Sequence, residues 1–143
     1  MTAITLAEAN TIADRALEKG RALGLQPLTV AVLDPGGHLT LLKREDGSSL
    51  LRPEIACGKA YGVLGMGFGG RELARRAAAA PMFMNALYAA SGGRTVPVAG
   101  GVLVRNEAGA IVGAVGISGD TSDNDEACAV AGIQAAGLKA NAG

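Results

Sequence analysis

Apolar and polar positions change period several times along the chain, and each change marks an element. Leu6, Ala9, Ile12, Ala13, Ala16 and Leu17 recur at helical spacing, with Glu8, Asp14, Arg15 and Glu18 off that face. Thr5 and Glu8 form a capping box before this run, Ile4 stands where a hydrophobic staple begins, and Gly20 or Gly24 ends the helix. Thr29 to Leu33 and Leu39 to Leu42 are apolar runs of strand length separated by Asp34-Pro35-Gly36-Gly37. Proline presets φ at the first corner and glycine accepts a positive φ at the second, so the runs predict a hairpin. His38 then lies at its mouth and Lys43-Arg44-Glu45-Asp46 at its far end.

A polar loop, Glu45 to Ser49, leads into a second predicted helix, Ser49 to Met66, entered through Pro53 with Glu54 near the positive end of its dipole. Arg71–Ala80 and Met82–Ala90 predict two more helices, split by Pro81 and closed by Ser91-Gly92-Gly93. Thr95 to Ala99 reads as a short edge strand, because Pro97 cannot donate to a central ladder. Gly101–Arg105 and Ala110–Ser118 predict a second hairpin about Asn106 to Gly109. Thr121 or Ser122 caps a last helix that continues through Val130, Ala131, Gln134 and Leu138. Helices and strands come in blocks instead of alternating, which predicts an α+β fold: one antiparallel sheet covered by helices, in a single domain over 1–143.

The second helix carries Gly58 and Gly62, each costing about 1 kcal/mol against alanine. Their spacing admits another helix, a sheet or a flat ligand at close range, along a stripe with Ile55, Lys59 and Met66. Gly65 to Gly70 looks like a dinucleotide loop but follows a helix outside any βαβ unit, which argues against phosphate binding there. Met82, Phe83, Met84, Leu87 and Tyr88 read as ordinary core, with a pocket wall as the alternative.

Thirteen Lys plus Arg balance thirteen Asp plus Glu, and the only aromatics are two Phe and two Tyr. Neither a basic field nor a base-stacking platform is present, which argues against nucleic acid. Cys57 and Cys128 lack zinc-like spacing and read as buried thiols, with a disulfide as the alternative. No apolar run reaches the roughly 18 to 20 residues of a membrane span, and no basic stretch runs into an apolar segment near the start; both predict a soluble, cytoplasmic chain. With 22 Gly and only 18% charged residues, the surface predicts a homo-oligomer, a dimer or larger.

Four motifs in order, VLDPGGHL with the following Lys43-Arg44-Glu45-Asp46-Gly47, then IACGKAYG, GGRTVPVAGGV and IVGAVGISGDTSDNDEACAVAG, resemble the GlcG and HbpS family of haem-degrading-domain proteins, which includes the C-terminal domain of PduO-type proteins. The resemblance covers nearly the whole chain. It implies a five-stranded antiparallel sheet flanked by helices, related to profilin-like folds, and assembly into dimers or larger rings. It also implies haem binding for some members, haem degradation or corrinoid metabolism for others, and small-molecule catabolism without settled activity for the rest. Two departures stand out: Glu45 where the family commonly has methionine, and Pro53 at the helix entry.

Two function classes follow. In the first, the chain binds haem or another tetrapyrrole and assists its degradation, His38 facing iron and Arg44 or Lys59 the propionates. In the second, a cofactor-free enzyme acts on a small carboxylated or carbonyl metabolite, with His38 as acid or base and Arg44 as anchor. A small anionic ligand suits both. The expected site is one mouth formed by His38, Arg44 to Asp46, Glu54 and Lys59, closed by Arg94 from its glycine loop. Arg44 and Lys59 have a plainer reading as ion-pair partners of Asp46 or Glu54, and Asp123, Asp125 and Glu126 read as helix-cap acids without a metal.

Overall fold

The computed structural model describes residues 2–143. In order it contains α1 (Leu6–Ala22), β1 (Thr29–Leu33), β2 (Leu39–Arg44), α2 (Arg52–Met66), α3 (Gly70–Ala79), α4 (Pro81–Ala90), β3 (Gly101–Arg105), β4 (Ile111–Ser118), α5 (Ser122–Ala135) and β5 (Lys139–Asn141). The strands form one antiparallel sheet in the order β2-β1-β4-β3-β5. The capping box opens α1 as its residues predict, Thr5 Oγ1 accepting from the Glu8 amide and the Glu8 carboxylate from the Thr5 amide.

Two segments differ from their sequence reading. Thr95 to Ala99 is not a strand: the Val96 amide donates to the Gly58 carbonyl of α2 at 3.1 Å, so a helix, not a sheet edge, holds this segment. The outer strand beside β3 is β5, beyond the last helix. Leu138 has already left that helix, because Gly137 takes a left-handed φ of 76° that stops it. A smaller shift affects α2, which starts at Arg52 after a turn in which the Arg52 amide donates to Ser49.

The faces of the sheet differ in side-chain size, and that difference sets the layers. On one face Val30, Val32, Val102, Val115 and Ile117 meet Ile12, Ala13 and Ala16 of α1 and Cys128, Ala129 and Ile133 of α5. On the other, the register aligns Ala31, Gly116 and Gly101 in a row across β1, β4 and β3. α2 lies in that trough. A Cβ on Gly116 would stand 1.9 Å from the Ala56 carbonyl oxygen, and one on Gly101 2.5 Å from that of Lys59. Leu33, Leu103 and Ala114 close the contact against Ala60 and Val63.

At this depth Lys59 passes the end of β4 into the interior. Its ammonium donates to the Ile117 carbonyl at 2.8 Å and to Asp125 Oδ2 of α5 at 3.1 Å, and Asp125 Oδ1 accepts from the Asp120 amide at 3.0 Å. Both side chains are buried. Burial pushes the Lys59 ammonium down and the Asp125 carboxyl up, while their mutual attraction opposes both shifts.

Two measurements test these contacts. Gly116→Ala forces the α2 backbone off the sheet and should cost about 1 to 3 kcal/mol in urea unfolding; an unchanged midpoint would mean that the helix does not lie this close. Asp125→Asn keeps an acceptor for Asp120 but strands the Lys59 charge, a loss of roughly 3 to 5 kcal/mol. The double variant Lys59→Met/Asp125→Leu should unfold closer to the parent than Asp125→Asn does, and a double variant as unstable as the single would refute the ion-pair account.

Candidate functional site

The β1–β2 turn builds one side of the site. The Asp34 amide donates to the His38 carbonyl at 2.9 Å, and Gly37, at φ 83°, makes the left-handed step of a three-residue loop. Asp34 Oδ1 accepts from the amides of Gly36 at 2.9 Å and His38 at 3.0 Å. The same carboxylate lies 3.2 Å from His38 Nδ1. These bonds, led by the His38 amide, hold the Asp34 carboxyl below its ordinary range. In the neutral tautomer that donates its Nδ1–H to Asp34, Nε2 presents its lone pair. Nε2 has no hydrogen-bond partner among the described residues, and the side chain is 81% exposed.

The opposite side comes from α2 and the loop after α4. Glu54, Cys57, Gly58 and Tyr61 follow one helical stripe. Gly58 lets the loop press down, since a Cβ there would meet Val96 Cγ2 at 2.5 Å and the Arg94 carbonyl at 3.2 Å. This is the close approach that the helix glycines foreshadow, and its occupant is the 94–96 segment; Gly62 serves the same purpose beneath Thr95 and Leu73. Arg94 Nε donates to the Ser91 carbonyl at 2.8 Å, and its guanidinium lies 4.1 Å from the centre of the Tyr61 ring.

Between these sides opens a cleft of about 310 Å³ lined by Leu33, Gly37, Leu39, Glu54, Cys57, Gly58, Tyr61, Gly93 and Arg94. Its walls are mainly apolar, with an arginine and a carboxylate at the rim. Burial, and then the neighbouring Glu54, pushes the Cys57 thiol up, so the proton stays on sulfur at neutral pH. Both cysteines are free thiols; Cys128 is buried as its residue type predicts, whereas Cys57 is partly open to the cleft.

Of the six site residues expected from the sequence, Glu54 and Arg94 line the cleft. His38 stands at its rim between two lining residues, its ring folded over Gly36. Arg44 ends β2 and Asp46 lies just past it, and six residues of strand put Arg44 about 20 Å from His38. There the Arg44 guanidinium donates to the Ser48 carbonyl, and Glu45 pairs with Arg21 at 3.1 Å. Lys59 is buried against Asp125. Its partner is therefore neither Asp46 nor Glu54, and a single mouth containing all six residues does not form. Asp123 and Glu126 pair with Arg71 at 2.8 and 3.0 Å. Cys57, Tyr61, Leu33 and Leu39 went unread as site residues, although Glu54, Cys57 and Tyr61 announce themselves at i, i+3 and i+7.

Solved structures share this architecture. A PduOC:heme complex is 25% identical with a TM-score of 0.83, covering 94% of this chain and 95% of that one. A double mutant of HbpS from Streptomyces reticuli is 31% identical with a TM-score of 0.81, covering 94% and 87%. The Klebsiella pneumoniae protein ORFY, 24% identical with a TM-score of 0.84 over 96% and 92%, shares the fold. The chain matches no curated protein. Residues 4–134 match the family model described as haem degrading protein HbpS-like, and with most of its length inside that match this chain belongs to the HbpS-like haem-degrading protein family.

Proposed function

We propose that the chain is a cytosolic haem- or tetrapyrrole-binding protein that assists haem degradation as a homo-oligomer, its ligand held at the cleft between the β1–β2 turn, α2 and Arg94. The observation that carries this reading is the composition of the cleft: apolar walls from Leu33, Leu39 and Tyr61, with the Arg94 guanidinium spread over Tyr61 at the rim. A macrocycle asks for apolar walls, its propionates for a cation, and its iron for a lone pair; Arg94 lines the cleft as the cation, and His38 Nε2, on an exposed side chain beside the cleft, would supply the third. Bound haem would supply redox chemistry at its iron. The chain would orient the propionate edge through Arg94, fix the His38 tautomer through Asp34 and exclude water with Leu33 and Leu39. The PduOC:heme complex, similar over 94% of this chain, supports the same ligand class.

A second reading rests on the Asp34–His38 pair at 3.2 Å. A carboxylate that fixes the Nδ1–H tautomer leaves Nε2 as a base, and Arg94 would anchor the carboxylate of a small metabolite without any cofactor.

Titration with haemin, followed at the Soret band, decides between the readings. Arg94→Ala should weaken binding roughly tenfold, about 1.4 kcal/mol. His38→Ala should shift or abolish the band, and Arg44→Ala, at the far end of β2, should titrate like the parent. A parent that gives no Soret change, or His38 and Arg94 variants that both match it, would overturn haem binding at this cleft. Turnover of a small carboxylate without added cofactor, lost in His38→Ala, would establish the second reading.

A further inference from the structure

A second depression opens at the end of the sheet away from the His38 turn, where the loop after β2 meets the end of β4 and the first turn of α2. It has a volume of about 220 Å³, and Gln26, Gly47, Ser49, Arg52 and Gly119 are among the residues that line it. Its walls are pinned from both sides. The buried Ser48 hydroxyl lies 2.7 Å from that of Thr29, and the Arg44 guanidinium donates to the Ser48 carbonyl, so the loop is tied to β1 and β2. Opposite it, a Cβ on Gly119 would stand 2.2 Å from the Pro27 carbonyl oxygen, a contact that only glycine allows.

Arg52 is the one charged group in this lining. Its Nε donates to Ser49 Oγ at 3.1 Å and its Nη1 to Ser118 Oγ at 3.0 Å, while Nη2 has no partner among the described residues. A neutral amide could tie two serines in this way; a full charge asks for an opposite charge as well. Among the described residues Arg52 makes no ion pair, and the carboxylates of the neighbouring segments are engaged elsewhere. Glu45 pairs with Arg21 and accepts from the Leu28 amide, and Asp120 accepts from the amides of Gln26 and Thr121 and from Asn124 Nδ2. Asp46 stands in the adjoining depression with Arg21 and Arg44. Asp125 is held by Lys59, whose ammonium is pushed down by burial first and then, against the pull of Asp125, by the charge of Arg52. Two cations thus bear on one buried carboxylate, and the outer one is left uncompensated.

We propose that this depression binds a small oxyanion, a carboxylate or a phosphate, at a site separate from the cleft, with Arg52 as its cation and Ser49 as a hydroxyl donor. The Nη2 group keeps both its hydrogens and Nη1 keeps one beyond the bond to Ser118, so the guanidinium can still make the two-pronged contact that matches either kind of anion. Ser49 Oγ accepts from Arg52, which leaves the hydroxyl proton of this exposed side chain to donate to the same ion. At about 220 Å³ the space is below the usual size of pockets for larger organic ligands, which selects a small ion over a macrocycle. Nucleic-acid phosphate fits less well, because a single arginine in a chain of balanced charge supplies no field along a backbone. Arg52 and Glu54 are two positions apart on α2 and do not share a face, so this site and the cleft lie on different sides of one helix turn and bind independently.

Titration of the isotope-labelled full chain with inorganic phosphate or with acetate, at an ionic strength held constant with sodium chloride, tests the site by nuclear magnetic resonance. The amide signals of Gly47, Ser49 and Gly119 should move saturably, with a Kd of roughly 1 mM or tighter for at least one of the two anions, while that of Gly93 in the cleft stays in place. The anion that binds more tightly identifies the class. Arg52→Gln should weaken binding at least about tenfold, and Arg52→Lys, which keeps the charge and loses the fork, should fall between that variant and the parent. Should Arg52→Gln fail to fold, Ser49→Ala takes its place, since it leaves the Arg52 bond to Ser118 intact and should still weaken binding several-fold. Signals that respond to neither anion, that drift without saturating, or that saturate in Arg52→Gln and Ser49→Ala as in the parent overturn the proposal. So does a response at Gly93 with none at Gly47 and Gly119, which would put the anion at Arg94 instead. Whether the parent binds haemin has no bearing on these outcomes.

Discussion

The row Ala31, Gly116 and Gly101 is a trough only because two of its three positions have no side chain. Helices on the opposite face rest on valine and isoleucine side chains, but α2 brings its backbone carbonyls to where a Cβ would otherwise stand. That depth fixes the rest of this side. It carries the Lys59 amine past Ile117 to Asp125, joining a helix on one face of the sheet to a helix on the other. It also seats α2 over the middle of the sheet, over β4, β1 and β3, leaving β2 largely uncovered. The cleft is the space this asymmetry leaves between the β1–β2 turn and the outer stripe of α2.

The ligand-facing chemistry follows from the same placement. Pressing Gly58 against the 94–96 segment brings Arg94 over Tyr61, so the cation at the rim is positioned by a missing side chain on the helix beneath it. Family membership and the shared fold of the relatives leave this residue-level arrangement to be argued from the side chains themselves, because one fold hosts several activities.

What could be read from the chain was mostly local. The Thr5 capping box, both hairpins, the split at Pro81 and the α+β blocks all rest on residues within a few positions of one another, where turn and cap chemistry decide. Thr95 to Ala99 failed because its partner is a helix carbonyl some 38 positions earlier, and β5 because pairing with β3 overrides a continuing helical pattern. In the site, His38, Glu54 and Arg94 were legible as polar groups near turns and a helix start; Glu54 and Arg94 line the cleft, whereas the exposed His38 ring stands beside it, folded over Gly36. Arg44 and Asp46 look adjacent to His38 in sequence, yet an extended strand carries them to the other end of the sheet. The Lys59–Asp125 pair spans 66 positions, and no pattern in the chain links its members.

The cation over Tyr61 has an optical side. The chain has no tryptophan and two tyrosines, so its near-ultraviolet emission comes from Tyr61 in the cleft and Tyr88 on the exposed helix α4. One ring stands under the Arg94 guanidinium and the other on the apolar, largely exposed helix α4. Tyrosine emission therefore comes from only two places, the cleft wall and α4, whose Tyr88 hydroxyl lies beside Gly93 at the cleft, and replacing either tyrosine with phenylalanine isolates the other signal without an added label.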